Sequence, residues 1–130
     1  SEGMRLTGLV DSWAWIEYFR GSAAGSKVRR ILEESEEEVV VSTINLAEVY
    51  LWVLKFYGRK TAKEKLAAIE QRSFVREVDR AIAIEAAQIK HERGWGLADA
   101  IVYATAVREK ARILTGDPDF RGLDNVEFIG

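Results

Sequence analysis

The sequence contains no cysteine, one histidine and one proline among its 130 residues. Without cysteine the chain can form no disulfide bond, thiolate nucleophile or cysteine zinc site, and this composition agrees with a reducing cytoplasm. The one histidine, His91, lies near the end of a helical pattern, where a cationic side chain favours the helix dipole. Any catalytic chemistry is therefore expected to come from other residue types.

Long apolar runs and an excess of basic charge are also missing. The longest apolar run, residues 49–54, is too short to cross a membrane, and no secretory signal pattern opens the chain. Residues 1–3 look like the remnant of an expression tag. A net charge of −2 argues against a protein that coats nucleic acid through a basic surface. It leaves room for a nuclease that holds phosphate through metal ions.

Residues 4–130 are predicted to form one domain, because their number is that of a single globular unit. Apolar residues make up 48% of the chain and charged residues 31%, which is typical of a globular protein. Strand-like and helix-like segments alternate, which predicts an α/β fold with a mostly parallel central sheet of four to five strands flanked by helices. The predicted strands lie at residues 4–10, 39–42, 73–78, 111–116 and 126–130.

Helices are predicted between these strands. The glycine- and serine-rich residues 21–26 read as a loop before a helix at residues 27–37. Ser42 or Thr43 is expected to cap the next helix, residues 44–57, which is apolar nearly all round. Such a helix is either buried on several sides or covered by a partner.

Four acidic residues fall where an open parallel sheet places its functional crevice, beyond the carboxyl ends of the strands. Asp11 directly follows the first strand, and Asp117 follows the strand that contains "RILT". Glu48 lies early in the helix after the second strand, and Asp99 lies in the first turn of its helix. The pattern therefore predicts that these four carboxylates meet at one edge of the sheet.

Each acid also has a simpler interpretation. Asp11 fits a strand-to-helix turn, Asp99 fits the dipole of its helix, and Asp117 fits a turn with Gly116 bending the chain. Glu48 is harder to explain, since its apolar neighbours make a carboxylate costly unless it meets water, a partner or a metal. Asp119 is left open between an additional acid of the site and the cap of a short turn.

Together the acids indicate a binding site for a divalent cation. Crowded carboxylates repel one another unless a cation lies among them. Mg²⁺ and Mn²⁺ prefer oxygen ligands and act together with substrate phosphates, so neither histidine nor cysteine is needed. The chain contains no nucleophile-elbow serine motif and no P-loop, which removes two other common chemistries.

Four segments in order, "VDSWAWIEYFRGS", "STINLAEVY", "GLADAIVYATA" and "ILTGDPDF", resemble the PIN domain, in particular the VapC-type toxin ribonucleases of toxin–antitoxin pairs. The resemblance covers residues 4–130. It implies a PIN-like, Rossmann-like three-layer sandwich and a metal-dependent endoribonuclease that uses Mg²⁺ or Mn²⁺. The catalytic and metal-binding acids that it implies are Asp11, Glu48, Asp99 and Asp117.

By the same resemblance Asp119 is a possible further acid, and Ser12 and Thr115 are possible hydrogen-bond partners of the acids. The implied partners are an RNA substrate, a second copy of the chain and a cognate antitoxin, with no membrane. Trp13 departs from the small polar residue that many relatives have there. Three groups of basic residues are candidates for steering the substrate phosphates: Arg20, Lys27 and the pair Arg59 and Lys60.

The main alternative is a catalytically silent PIN-like module that binds a protein partner, and the presence of all four acids counts against it. A receiver domain would need paired acids after the first strand, and Asp11 has no acidic neighbour. A phosphatase of the DxDx type would place its aspartate pair early, whereas here the pair comes late.

Overall fold

The computed structural model describes residues 6–130, so the predicted tag at residues 1–3 and the start of the first predicted strand lie outside the described residues. Within residues 6–130 the strands are β1 Thr7–Val10, β2 Glu38–Ser42, β3 Phe74–Arg76, β4 Arg112–Thr115 and β5 Val126–Phe128. The helices are α1 Ser12–Arg20, α2 Ala23–Glu34, α3 Thr43–Tyr57, α4 Arg59–Arg72, α5 Arg80–Arg93 and α6 Leu97–Arg108, with a 3₁₀ turn at Pro118–Phe120.

All five strands are parallel and lie in the order β3-β2-β1-β4-β5. The predicted fold class is therefore confirmed. The chain adds strands on one side of β1 and then crosses to the other side to form β4. Such a reversal opens a crevice at the carboxyl ends of the two strands concerned, which is where open α/β sheets bind ligands. Asp11 follows β1 and Asp117 follows β4, so both border this crevice.

Helices cover both faces of the sheet. Successive strand residues point to opposite faces, so each strand contributes side chains to both. Val10, Val39 and Val41 belong to one buried cluster that includes residues of α1 to α4. Leu9 and Ile113 belong to another, which includes residues of α6. Leu9 and Val10 are completely buried, so the central strand is closed on both sides, as the three-layer prediction requires.

The loop predicted at residues 21–26 is wrong, since α2 already begins at Ala23. The Ser22 hydroxyl caps the helix by accepting a hydrogen bond from the Gly25 amide at 3.0 Å. A Cβ on Gly25 would lie 2.1 Å from the Glu17 carbonyl oxygen, so this glycine is required for the close approach of α1 and α2. Glycine was therefore a packing signal here rather than a sign of a loop.

Helix α3 buries one face and exposes the other. Val49 and Val53 are buried, whereas Leu51 is 68% exposed and Phe56 and Tyr57 are also exposed. The helix is therefore not a central core helix, and its apolar outer face is open to a partner. None of the helices in the described part of the chain combines the length and apolar character needed to cross a membrane.

Candidate active site

Three aspartates form a tight acidic cluster at the crevice between β1 and β4. Asp99, Asp117 and Asp119 each contribute a carboxylate oxygen, and these oxygens lie within 4.8 Å of one another. Asp99 comes from the first turn of α6, and the other two come from the 3₁₀ turn after β4. The structure thus brings together two of the four main predicted acids and the additional acid Asp119.

Asp117 also caps the turn on which it lies. Its Oδ1 accepts a hydrogen bond from the Asp119 amide at 3.0 Å, so the cap of this turn is Asp117 and not Asp119. The turn interpretation and the site interpretation therefore both apply to Asp117. One carboxylate oxygen holds the turn, and the turn brings Asp119 to the cluster.

Asp11 lies at the end of β1 and is buried, with 5% of its surface exposed. Its two carboxylate oxygens accept hydrogen bonds from different side chains. The Thr115 hydroxyl donates to Oδ2 at 2.8 Å, and the Asn45 amide donates to Oδ1 at 3.2 Å. These two donors fix the orientation of the carboxylate, and the Thr115 hydroxyl lies beside Asp11.

Glu48 is exposed to solvent, so of the three surroundings that the sequence left open for its carboxylate (water, a partner or a metal), water is available in the structure. Its neighbours in sequence are apolar, but Ala47 and Leu51 are exposed as well. The Ser12 hydroxyl donates to Glu48 Oε1 at 2.6 Å. Ser12 thus connects Glu48 to Asn45 and through it to the rest of the site.

Asn45 is the residue of this site that the sequence analysis missed. It is completely buried, and its Nδ2 donates to both Asp11 and the Ser12 hydroxyl, the latter at 2.9 Å. Its Oδ1 accepts a hydrogen bond from the Ser42 amide at 3.1 Å. The sequence did contain a signal for this residue. Asn45 is a polar side chain in the first turn of an otherwise apolar helix, three residues before Glu48.

Burial, and to a smaller extent mutual repulsion, raises the pKa of two of the acids. Burial raises the pKa of Asp11 to about 6, against hydrogen bonds that lower it, with smaller contributions from the charges of Glu48 and Asp117. Burial also raises the pKa of Asp99 to about 7, followed by repulsion from Asp117, Asp11 and Asp119. Within residues 6–130 none of the five acids pairs with a lysine or arginine. An oxygen-rich, uncompensated site of this kind fits a divalent cation.

The basic residues predicted to steer phosphate lie on three different helices, α1, α2 and α4. Arg20 pairs with Glu17 at 2.9 Å. Arg59 and Lys60 begin α4, which follows the far end of α3. The 15 residues of α3 span about 22 Å, so that pair is remote from the crevice. Lys27 is an exposed residue of α2.

Replacing Asp99 with asparagine is expected to stabilise the protein when divalent cations are absent. The folded-state pKa lies above the ordinary value of 3.8, so the folded protein binds this proton more tightly than the unfolded chain does. Stability is therefore lost as the pH rises from about 4 to about 7. Allowing for solvent screening, Asp99→Asn should raise the unfolding free energy by about 1–2 kcal/mol at pH 7.5. Denaturant titrations should show little increase in the unfolding free energy at pH 4. An equal increase at pH 4 and pH 7.5 would show that the raised pKa of Asp99 is not the cause.

Trp13 packs on the backbone that carries Asp117. A Cβ on Gly116 would lie 2.4, 2.5 and 2.6 Å from three atoms of the Trp13 benzene ring, so Gly116 lies over the face of that ring. Gly116 is not among the residues with a positive φ. Its lack of a side chain is therefore needed for the close approach of Trp13, and not for the bend that was predicted.

Replacing Gly116 with alanine is expected to lower the unfolding free energy by about 1–3 kcal/mol, because the new methyl group overlaps the Trp13 ring. Adding Trp13→Leu should recover part of this loss, since the smaller side chain leaves room for the methyl group. Denaturation of the two single variants and the double variant measures the coupling between the sites. If the changes in unfolding free energy of the two single variants simply add in the double variant, the Trp13 ring is not what excludes a side chain at position 116.

The fold and the site can be compared with known proteins. A family model described as the PIN domain matches residues 8–126, which is most of the chain. The chain belongs to the PIN domain family. The family resemblance seen in the sequence is therefore confirmed.

Relatives of this PIN domain chain include ribonuclease VapC11 of Mycobacterium tuberculosis, which is 31% identical over 117 residues. That match spans 86% of this chain and 87% of the relative. The toxin VapC20 of the same organism, named as cleaving the sarcin–ricin loop, shares the fold with a TM-score of 0.76 at 21% identity, over 92% of this chain and 97% of that one. A toxin–antitoxin complex from Klebsiella pneumoniae contains a chain with a TM-score of 0.77 at 22% identity, over 95% and 98% of the two chains.

Proposed function

We propose that this PIN domain chain is an endoribonuclease that hydrolyses RNA phosphodiester bonds with the help of a divalent cation, and that it is the toxin of a toxin–antitoxin pair. The observation that supports this most is the set of unpaired acids at the crevice between β1 and β4. The ribonuclease names of relatives at 31% identity support the substrate class.

We assign the cation, Mg²⁺ or Mn²⁺, to Asp11, Glu48, Asp99 and Asp117, with Asp119 as a further acid. When bound, such a cation neutralises charge on the phosphoryl group and makes a coordinated water more acidic. Asp99, Asp117 and Asp119 supply the closest set of oxygens. Asp11 supplies a buried carboxylate whose orientation is fixed by Thr115 and Asn45.

In the proposed reaction a water oxygen forms a bond to phosphorus while the bond from phosphorus to the 3′-oxygen breaks. The products carry a 5′-phosphate and a 3′-hydroxyl, which is the polarity that the PIN resemblance implies. Ser12 holds Oε1 of Glu48, and we assign Oε2 to orient the attacking water and accept its proton, so that Glu48 would hold the cation through this water. The departing 3′-oxygen takes a proton from solvent.

Removal of divalent cations tests this function. Purified protein with excess chelator is expected to lose RNA cleavage, and addition of Mg²⁺ or Mn²⁺ above the chelator should restore it. The silent interaction module predicts no cleavage under either condition and no divalent binding in a calorimetric titration. Cleavage that persists unchanged in chelator would contradict the role of the cation.

We further propose that the antitoxin covers an apolar groove between α3 and α4, lined by Leu46, Tyr50, Leu51, Leu54 and Leu66. Ala47 also lines this groove and precedes Glu48, so a segment bound there would lie beside the acids. Leu51→Glu should prevent copurification with the coexpressed antitoxin, whereas Ile84→Glu on α5, which is 50% exposed, should not. Equal copurification of both variants would rule out this groove.

A homodimer in the cytoplasm is also proposed, in agreement with the family resemblance and the absence of cysteine. Light scattering of the purified protein should give twice the mass of 14.7 kDa. A monomer mass at micromolar concentration would contradict the dimer.

A further inference from the structure

A polar groove lies on the outer side of α6, apart from the acidic cluster. It has a volume of about 450 Å³ and is lined by Arg93, Tyr103, Val107, Lys110 and residues 122–125. Grooves of this size are typical of small-ligand sites. None of these residues belongs to the acid site, and the proposed reaction does not use them.

An aromatic and cationic platform joins this groove to the acids. The Arg93 guanidinium lies 5.1 Å from the centre of the Trp95 ring and 5.7 Å from that of Tyr103. Trp95 also contacts the ring of Phe120, at 6.0 Å between centres, and Phe120 directly follows Asp119 in the 3₁₀ turn. Phe120 is itself completely buried, so it supports Trp95 from the core, and the platform lies beside the turn that carries Asp119.

The groove then continues away from the cluster along α6. Tyr103 lies one helical turn beyond Asp99, and Lys110 follows the end of the helix, about 15 Å from Asp99. A few nucleotides of extended single strand would cover this length.

The charges of the groove suit an anionic ligand. Arg93 and Lys110 are exposed, and within residues 6–130 neither takes part in an ion pair. Asp124 also lines the groove and partly offsets them. Lys110 has a φ of 53°, an uncommon backbone conformation for a residue other than glycine, asparagine or aspartate.

We propose that this groove binds a nucleotide of a single-stranded RNA segment that flanks the scissile bond. Its base would stack on Tyr103 and the Arg93 guanidinium, and its phosphate would meet Lys110. Single-stranded RNA is recognised by this combination of aromatic rings, guanidinium planes and cations. The acids repel the RNA backbone wherever a bound cation does not neutralise them, so basic side chains along the groove help to hold the strand. This inference rests on the proposed ribonuclease function, because that function places RNA at the acids.

Binding of a fluorescent single-stranded RNA oligonucleotide, measured by anisotropy with Mg²⁺ present, tests the groove. All proteins carry Asp11→Asn, so that cleavage does not interfere. Arg93→Ala and Lys110→Asn should each weaken binding by about 5-fold or more, and Lys110→Asn retains a residue that tolerates the backbone at this position. Lys110→Asn, which removes the proposed phosphate contact, should also lower the slope of log affinity against log salt by about 0.7. The affinity of Arg93→Lys should lie between those of Arg93→Ala and the parent, because lysine retains the charge but lacks the planar guanidinium.

Lys63→Ala, which removes an exposed cation of α4, is the matched control and should bind like the parent. The groove is ruled out if Arg93→Ala and Lys110→Asn bind like this control, or if the parent binds no oligonucleotide. Thermal unfolding confirms that the variants are folded. RNA cleavage by the chain with Asp11 intact is measured separately. Failure of the proposed function would appear there, whereas failure of the groove would appear only in binding.

Discussion

The Asp11→Asn variant is expected to fold like the wild type and to cleave RNA at least about 100-fold more slowly. The substitution keeps the shape of the side chain and removes the charge that the proposed cation needs. The Thr115 hydroxyl can rotate to accept a hydrogen bond from the new amide, so the buried site retains its partners. Initial rates on one RNA, at saturating Mg²⁺ or Mn²⁺, measure the loss.

The control for Asp11→Asn is Glu64→Gln, which removes an exposed acid from α4. This variant should retain the wild-type rate, since α4 does not border the crevice. Circular dichroism of both variants checks the fold. A rigorously purified Asp11→Asn protein that cleaves at the wild-type rate would rule out this site.

The Asn45→Asp variant is expected to reduce cleavage by about 10- to 100-fold, the usual effect of losing a residue that orients metal ligands. The variant retains the oxygen that accepts from the Ser42 amide but loses the Nδ2 donor. Its new carboxylate oxygen would lie near Asp11 Oδ1, where the amide nitrogen is now 3.2 Å away. It would also draw the Ser12 hydroxyl away from Glu48. Rates measured against cation concentration should show a higher half-saturating concentration.

Ser42→Ala separates the positioning role of Asn45 from its role in capping α3. The Ser42 hydroxyl accepts a hydrogen bond from the Ile44 amide at 3.2 Å, and its removal should lower the unfolding free energy by about 1 kcal/mol. The hydrogen bond from the Ser42 backbone amide to the Asn45 side chain remains, so the cleavage rate should be unchanged. If Ser42→Ala and Asn45→Asp lose activity equally, Asn45 acts through helix stability alone.

The sheet and the position of its acids could be predicted because both follow from local patterns. Strands that alternate with helices imply parallel pairing, and acids directly after strands meet at one edge. Asp11 and Asp117 could be placed in this way. The crossing of the chain from one side of β1 to the other, which opens the crevice between them, depends on strand order and has no local signal.

Other features depend on contacts between distant parts of the chain. Asn45 and Asp11 are 34 residues apart in the sequence, so their hydrogen bond could not be predicted from the local pattern around Asn45, which showed only an amide side chain in a helix. The solvent exposure of Glu48 depends on which face of α3 meets the sheet, and an all-apolar helix does not reveal that face. The groove residues Arg93 and Lys110 follow the ends of two different helices and line one groove only because residues 122–125 lie beside α6 in the folded chain.

The dependence of RNA cleavage on a cation held by these acids is tested most directly by one measurement. The initial rate of cleavage of a defined RNA is recorded as free Mn²⁺ is raised from zero, for the wild type and Asp99→Asn in parallel. The wild-type rate should rise from zero to saturation, and the Asp99→Asn rate should stay at least about 100-fold lower at the Mn²⁺ concentration that half-saturates the wild type. A wild-type rate that does not depend on Mn²⁺, or identical curves for the two proteins, would contradict the proposed active site.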